Sequence, residues 1–286
     1  MTGQGNYKIG ILAAALSWVL LSGASCSPLA EPDRAQREPV PFSVLLPESG
    51  EDAPATKSAG DGSAATQLLV GVFDAAGHPL FCQTVTRTGA GEPFTFTLPL
   101  VRELNYQVAF WAQGEDAWVA SSGFTAASLT NIPLTGHATL SAETDDAFSG
   151  RMNVAAGEST VAVTLERVWA QVNVATTATS LDLSTAGVTS VELTLTGLPT
   201  NYNVLTDSFS GSGDRTFSGT VEGGTFTVGG TSYTLLGHAY APAAASPATA
   251  HATVMLKDAL GATVRSTAVS NLPLRRGYRT NILGNL

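Results

Sequence analysis

From Gln67 onward, apolar side chains recur at every second position, and this period constrains the fold more than any other feature. In residues 93–100, Phe94, Phe96, Leu98 and Leu100 point one way, with Thr95 and Thr97 between them. In residues 106–111, Tyr106, Val108 and Phe110 share a face. Val191, Leu193 and Leu195 alternate with Glu192, Thr194 and Thr196. Successive side chains of a strand point to opposite sides, so alternation of this kind describes half-buried strands. Clusters of Gly, Asn, Asp and Pro punctuate the runs. After residue 25 no amphipathic helix longer than about two turns is legible. Short strands with frequent turns predict an all-β protein of sandwich type.

Two features suggest two domains in this 286-residue chain. A strand, Asp-x-x-Gly, strand pattern occurs at 68–81 and again at 252–265. Asp74 and Gly77, and Asp258 and Gly261, supply the turn residues. This repeat is weak, because such hairpin turns are common. The apolar register also slips in mid-chain. Val161, Val163 and Leu165 are odd-numbered, whereas Val168, Ala170, Val172 and Val174 are even. A one-residue slip turns every side chain to the other face. The chain near Glu166 and Arg167 therefore bulges or passes to a second sandwich, and the reading divides it into 40–165 and 166–286.

The first 25 residues read as an address. Lys8 precedes an unbroken apolar run at 9–21, too short to span a bilayer, which takes about 20 residues. The run ends in Leu21-Ser22-Gly23-Ala24-Ser25-Cys26. Small residues before a cysteine resemble a bacterial lipobox, although the large aliphatic residue lies further from Cys26 than is usual. The expectation is a lipoprotein signal peptide (1–25) with acyl groups on Cys26. A tether at 26–39 and a loop at 48–66 follow. An exported protein could instead pair its two cysteines. If Cys26 takes lipid, Cys82 is left as a small hydrophobe in a strand.

Composition removes some functions. A net charge of -9 is the wrong sign for a general nucleic-acid binder. The four histidines lack ligand spacing, and neither a nucleophile elbow nor a P-loop occurs. No catalytic residue, metal site or cofactor is expected. Asp145 and Asp146 fall short of the oxygens a calcium ion takes. Trp111 and Trp118 are candidates for stacking on a sugar, which gives an alternative reading as a glycan-binding surface lipoprotein with exposed aromatics. Arg275, Arg276 and Arg279, beside Tyr278, form a basic cluster that could meet an acidic partner.

Several strings together resemble the fimbrillin superfamily of Bacteroidetes, nearest to its FimB-type fimbrial subunits and related lipoproteins. They are YQVAFWAQ (106–113), DDAFSG (145–150), TVAVTLERVWAQVNV (160–174), LTGLPTNYNVLT (195–206) and NLPLRRGYRTNILGNL (271–286). The resemblance implies two tandem transthyretin-like β-sandwiches on the outer membrane, surface-exposed. It also implies a part in the fimbrium as anchor, accessory or tip subunit. Partners would be other fimbrial subunits, joined by strand exchange, and a host protein or glycan. In the family a protease cleaves after an arginine near the start. Arg34 and Arg37, ahead of a candidate strand at 40–47, are the matching positions. Relatives usually continue beyond the string that ends at Leu286, so the second sandwich is expected to be truncated or short of a strand. A missing strand would leave backbone groups for a partner to satisfy.

Overall fold

The computed structural model describes residues 37–47 and 62–286, apart from positions 88, 90, 102 and 156–159. It is almost entirely β-strand, as the period of two requires. The signal segment, Cys26, Arg34 and most of the 48–66 loop lie outside the described residues.

The first half contains β1 (Arg37–Leu45), β2 (Gln67–Asp74), β3 (Pro79–Thr86), β4 (Phe94–Val101) and β5 (Asn105–Gln113). A two-residue strand, β6 (Ile132–Pro133), precedes β7 (Phe148–Ala155), β8 (Val161–Thr164) and β9 (Glu166–Arg167). One sheet has the order β4-β1-β8, with β1 antiparallel to β4 and parallel to β8. The other, β3-β2-β5-β7-β9, is antiparallel throughout. Their facing sides share one core: Val40, Phe42 and Val44 from β1 meet Leu68, Val70 and Val72 from β2 and Val108 and Phe110 from β5. Phe42 stacks on Phe96 of β4 at 5.2 Å. Burying each such side chain stabilises the fold by about 1.5–3 kcal/mol.

The second half runs β10 (Trp169–Thr176), a short α1 (Ser180–Thr185), β11 (Ser190–Leu198), β12 (Asn201–Asn203), β13 (Ser208–Ser210) and β14 (Gly213–Thr220). It ends with β15 (Thr225–Val228), β16 (Thr231–Pro242), β17 (Ala248–Lys257), β18 (Thr263–Leu274) and β19 (Arg279–Gly284). Thr179 caps α1 by accepting from the Asp182 N–H at 3.2 Å, and Asp182 reciprocates toward the Thr179 N–H at 2.9 Å. The two large sheets are β15-β16-β10-β19 and β14-β11-β17-β18. Val172 and Val174, Val191, Leu193 and Leu195, and Val254 and Leu256 fill the core between them.

The two sandwiches repeat one topology. In each, the first strand lies between an antiparallel strand and the last strand, to which it is parallel: β1 between β4 and β8, β10 between β16 and β19. The second sheets correspond as β3-β2-β5-β7 and β14-β11-β17-β18. The sequence repeat at 68–81 and 252–265 does not follow this correspondence. It matches the β2–β3 hairpin to the β17–β18 hairpin, whereas β17 and β18 are equivalent to β5 and β7. Both turns have the predicted chemistry. Asp74 Oδ1 accepts from the N–H groups of Ala76 and His78, and Asp258 Oδ1 from those of Leu260 and Ala262. Gly77 and Gly261 have φ of +89° and +81°, a region that favours glycine. The likeness records a shared way of turning, not a shared place in the fold.

The mid-chain slip in register has a physical cause. After β8 the chain leaves the first sheet, pairs briefly as β9 with β7, and enters the second sandwich at Trp169. Leu165 faces the first core, Ala170 the second, and Val168 and Trp169 a third cluster between the sandwiches.

Candidate functional site

That third cluster covers the outer face of β5 and β2. Leu69, Phe73, Ala109 and Trp111 meet Trp118, Leu129 and Ile132 of the 114–147 connection and Trp169, Tyr202 and Tyr240 of the second sandwich. The rings of Trp111 and Trp169 stand edge to face at 6.3 Å, and Trp118 lies 4.6 Å from Trp169. This placement agrees with core packing of both rings and removes the exposed aromatics that the glycan-binding alternative needs. Trp111 is fully buried and donates to Gln113 Oε1 at 2.8 Å, while Trp118 is 9% exposed and donates to the Asp145 carbonyl at 3.0 Å. Neither offers a free face to a sugar. Both faces of β5 are covered, so alternation there does not separate core from surface.

The charged residues singled out in the sequence are mostly turned inward. Asp146 pairs with Arg167, and Asp145 lies 2.6 Å from His137 Nδ1. Arg275 faces solvent, stacks over Tyr278 at 4.1 Å and donates to the Ala245 carbonyl. Arg279 is half-buried, and burial holds its pKa below the ordinary arginine value. Arg276, at 8% side-chain exposure, does not reach outward to a partner. Its two terminal nitrogens hold Asp207 at 2.5 and 3.1 Å, and one of them also reaches Glu166 at 3.2 Å. Burial opposes its charge, but Asp207, Tyr202 and Glu166 outweigh burial and hold its pKa above the ordinary arginine value. Tyr202 completes the network by donating to Asp207 at 2.6 Å, with Ser149 at 2.9 Å. Among the described residues no group of side chains could hold a metal ion.

Arg37 opens β1 and is exposed, paired across the sheet with Val101. Cleavage after Arg34 would leave β1 whole, and cleavage after Arg37 would remove only its first residue. Cys82 is half-buried on β3, its Sγ 3.3 Å from the Phe124 carbonyl oxygen.

The Arg276 network walls one side of a groove that sequence reasoning missed. Its other side is β7. β9 pairs with only Phe148 and Ser149, so among the described residues β7 runs on from Gly150 to Asn153 with a ladder partner, β5, on one side. The Val168 N–H donates to the Ala147 carbonyl at 3.0 Å, so Ala147 faces the β9 side. Backbone groups alternate in direction along an antiparallel strand. Those of Arg151 and Asn153 therefore point to the open edge. A cavity of 190 Å³ lies against Ser149, Gly150, Arg151, Val163, Glu166, Tyr202 and Arg276. A second, of 430 Å³, continues past Arg151 along Gln107, Met152, Asn153 and Leu205. Gly150 makes the crossing possible, since a Cβ there would lie 2.6 Å from Leu165 Cδ2. The groove depends on residues distant in sequence, and the run Gly150–Asn153 alone gives no sign of it.

A sequence model of a family of unknown function, DUF6562, matches residues 32–286. The chain belongs to that family. No curated protein matches this DUF6562 chain. Among solved structures it is similar to a fimbrial assembly protein from Parabacteroides distasonis, at 10% identity and a TM-score of 0.49, over 86% of this chain and 90% of that one. It is also similar to a candidate adhesin from Bacteroides ovatus (16%, 0.48, 81% and 76%) and a candidate cell adhesion protein from Bacteroides eggerthii (15%, 0.45, 88% and 87%). At these identities and scores the likenesses carry no argument about what the DUF6562 chain does.

Proposed function

We propose that the chain is a cell-surface protein of fimbrial or adhesive type, held to the outer membrane by acyl groups on Cys26, which joins protein partners by strand addition and turns over no substrate. The observation that carries this reading is the pair of outward-pointing backbone positions at Arg151 and Asn153, set in a groove rather than on a convex surface. Unpaired edges of this kind accept an extended segment from another chain, whose main-chain hydrogen bonds supply the affinity. An export segment at 1–25 would bring the protein to where such partners are met. Acyl groups on Cys26 would keep it there, because one chain alone holds weakly and several hold firmly.

The test is site-specific cross-linking on intact cells. A photoreactive residue at Ala155 is expected to capture a partner polypeptide, while one at the exposed Leu260 turn does not. Asn153→Pro removes one outward N–H without touching the pairing to β5, because the Asn153 backbone points away from that strand. It is expected to abolish capture from Ala155 while leaving the circular dichroism unchanged. Undiminished capture in a folded Asn153→Pro protein would show that β7 is not the acceptor.

A further inference from the structure

We infer that the β7 groove selects an incoming strand with an acidic side chain, which Arg151 receives. The inference rests on the strand-addition reading and names the chemistry of its partner. The 430 Å³ cavity is lined by Gln107, Arg151, Met152, Asn153 and Leu205, with no carboxylate and no aromatic ring among them. It offers a guanidinium and two amides. Arg151 is exposed, and one terminal nitrogen donates to the Leu205 carbonyl at 2.7 Å, which orients the group over the cavity. Gln107 donates to the Ala75 carbonyl at 3.0 Å. A guanidinium presents five N–H donors in a planar fork that matches a carboxylate.

Charge separates the two cavities. The smaller one is balanced, with Arg151 and Arg276 against Glu166 and Asp207, and the two carboxylates already occupy Arg276, so that end offers an acid no free cation of its own. The larger one carries a single net positive charge on a chain whose total is -9. An acidic residue on the partner therefore has one favourable place along β7, and this fixes register as well as identity. A peptide fits better than a sugar, because a free strand edge adjoins the cavity and no ring is present for a sugar face to stack on.

The experiment uses the full chain and eight-residue Thr/Val-alternating peptides with Glu, Gln or Lys at one central position, titrated by fluorescence anisotropy. The Glu peptide is expected to bind about tenfold more tightly than the Gln peptide, as charge-assisted hydrogen bonds are roughly twice as strong as neutral ones. Arg151→Gln should remove the preference, and Arg151→Glu should turn it toward Lys. Asn153→Asp, which keeps Arg151 in place, should weaken the Glu peptide alone. Peptides that bind equally, or a Glu preference surviving in Arg151→Gln, would overturn the inference and leave strand addition standing. Binding of acidic oligosaccharides but of no peptide, lost in Arg151→Gln, would overturn both and assign the cavity to sugars. Absence of any binding would likewise end both.

Discussion

Arg167 and Asp146 form a bidentate ion pair buried where the chain crosses between the sandwiches. Arg167 Nε lies 2.8 and 3.0 Å from the two Asp146 oxygens, and a terminal nitrogen lies 2.6 Å from Oδ2. Arg167 also sits 5.1 Å over the Phe148 ring. Burial pushes the Asp146 carboxyl up to about 6, with the Arg167 guanidinium opposing it.

Removing one partner of this pair leaves the other charge buried. Asp146→Asn is expected to cost about 3–5 kcal/mol of stability. Replacing both, as Asp146→Leu with Arg167→Met, should recover most of the loss. Urea denaturation of the three proteins checks the order. A double variant as weak as the single one would show that the pair's worth lies in more than mutual compensation.

Trp169 joins the two sandwiches as one unit. It is the first residue of β10, yet its ring packs with Trp111 and Trp118 rather than in the second core. Trp169→Ala is expected to cost about 3–5 kcal/mol, the usual loss for an aromatic core truncation. The wild-type chain should unfold in one calorimetric transition, and the variant in two. A single transition in both proteins would mean that the coupling lies elsewhere.

His137 gives the junction a pH dependence. Its bond to Asp145 raises its pKa above the ordinary 6.5, with burial and Arg215 opposing and the Ala117 carbonyl assisting. Folding therefore favours the charged ring. That stabilisation is fully present below about 6.5 and is lost as pH rises through the raised value. In His137→Gln the denaturation midpoint should vary less with pH across this window than in the wild type. Identical pH profiles would remove His137 from the account.

The two possible uses of the cysteines exclude one another. The sequence holds two cysteines, Cys26 and Cys82. A sulfur in a lipid thioether cannot also sit in a disulfide. The anchoring proposal expects the mature chain to begin at Cys26 with added acyl mass and to enter the detergent phase. Cys26→Ser should send it to the aqueous phase. A mature chain with no acyl mass and no free thiol would decide for the disulfide.

The period of two made the strands legible because each residue's side is set by its own backbone. Phe94, Leu98 and Leu100, or Val191, Leu193 and Leu195, face the cores that their spacing requires. The same rule failed for Phe110 and Trp111. One face of β5 meets the first core, and a segment from 114–147 together with the second sandwich covers the other. Burial of that face depends on residues far along the chain, which no local pattern records. Arg276 was legible as a cation but not as an inward one, since its partners Glu166 and Asp207 lie 110 and 69 positions away.

By itself, then, the sequence determined where the strands run, which side of most of them is apolar, and where Asp74 and Asp258 turn the chain. These follow from alternation and turn chemistry within a few residues. Tertiary structure alone decided that β5 is covered on both faces and that β1 and β10 hold equivalent places. It also decided that β9 stops after two residues and leaves the edge of β7 open. Those outcomes are settled by which strands pair across long separations, a choice made by packing and not by any single segment.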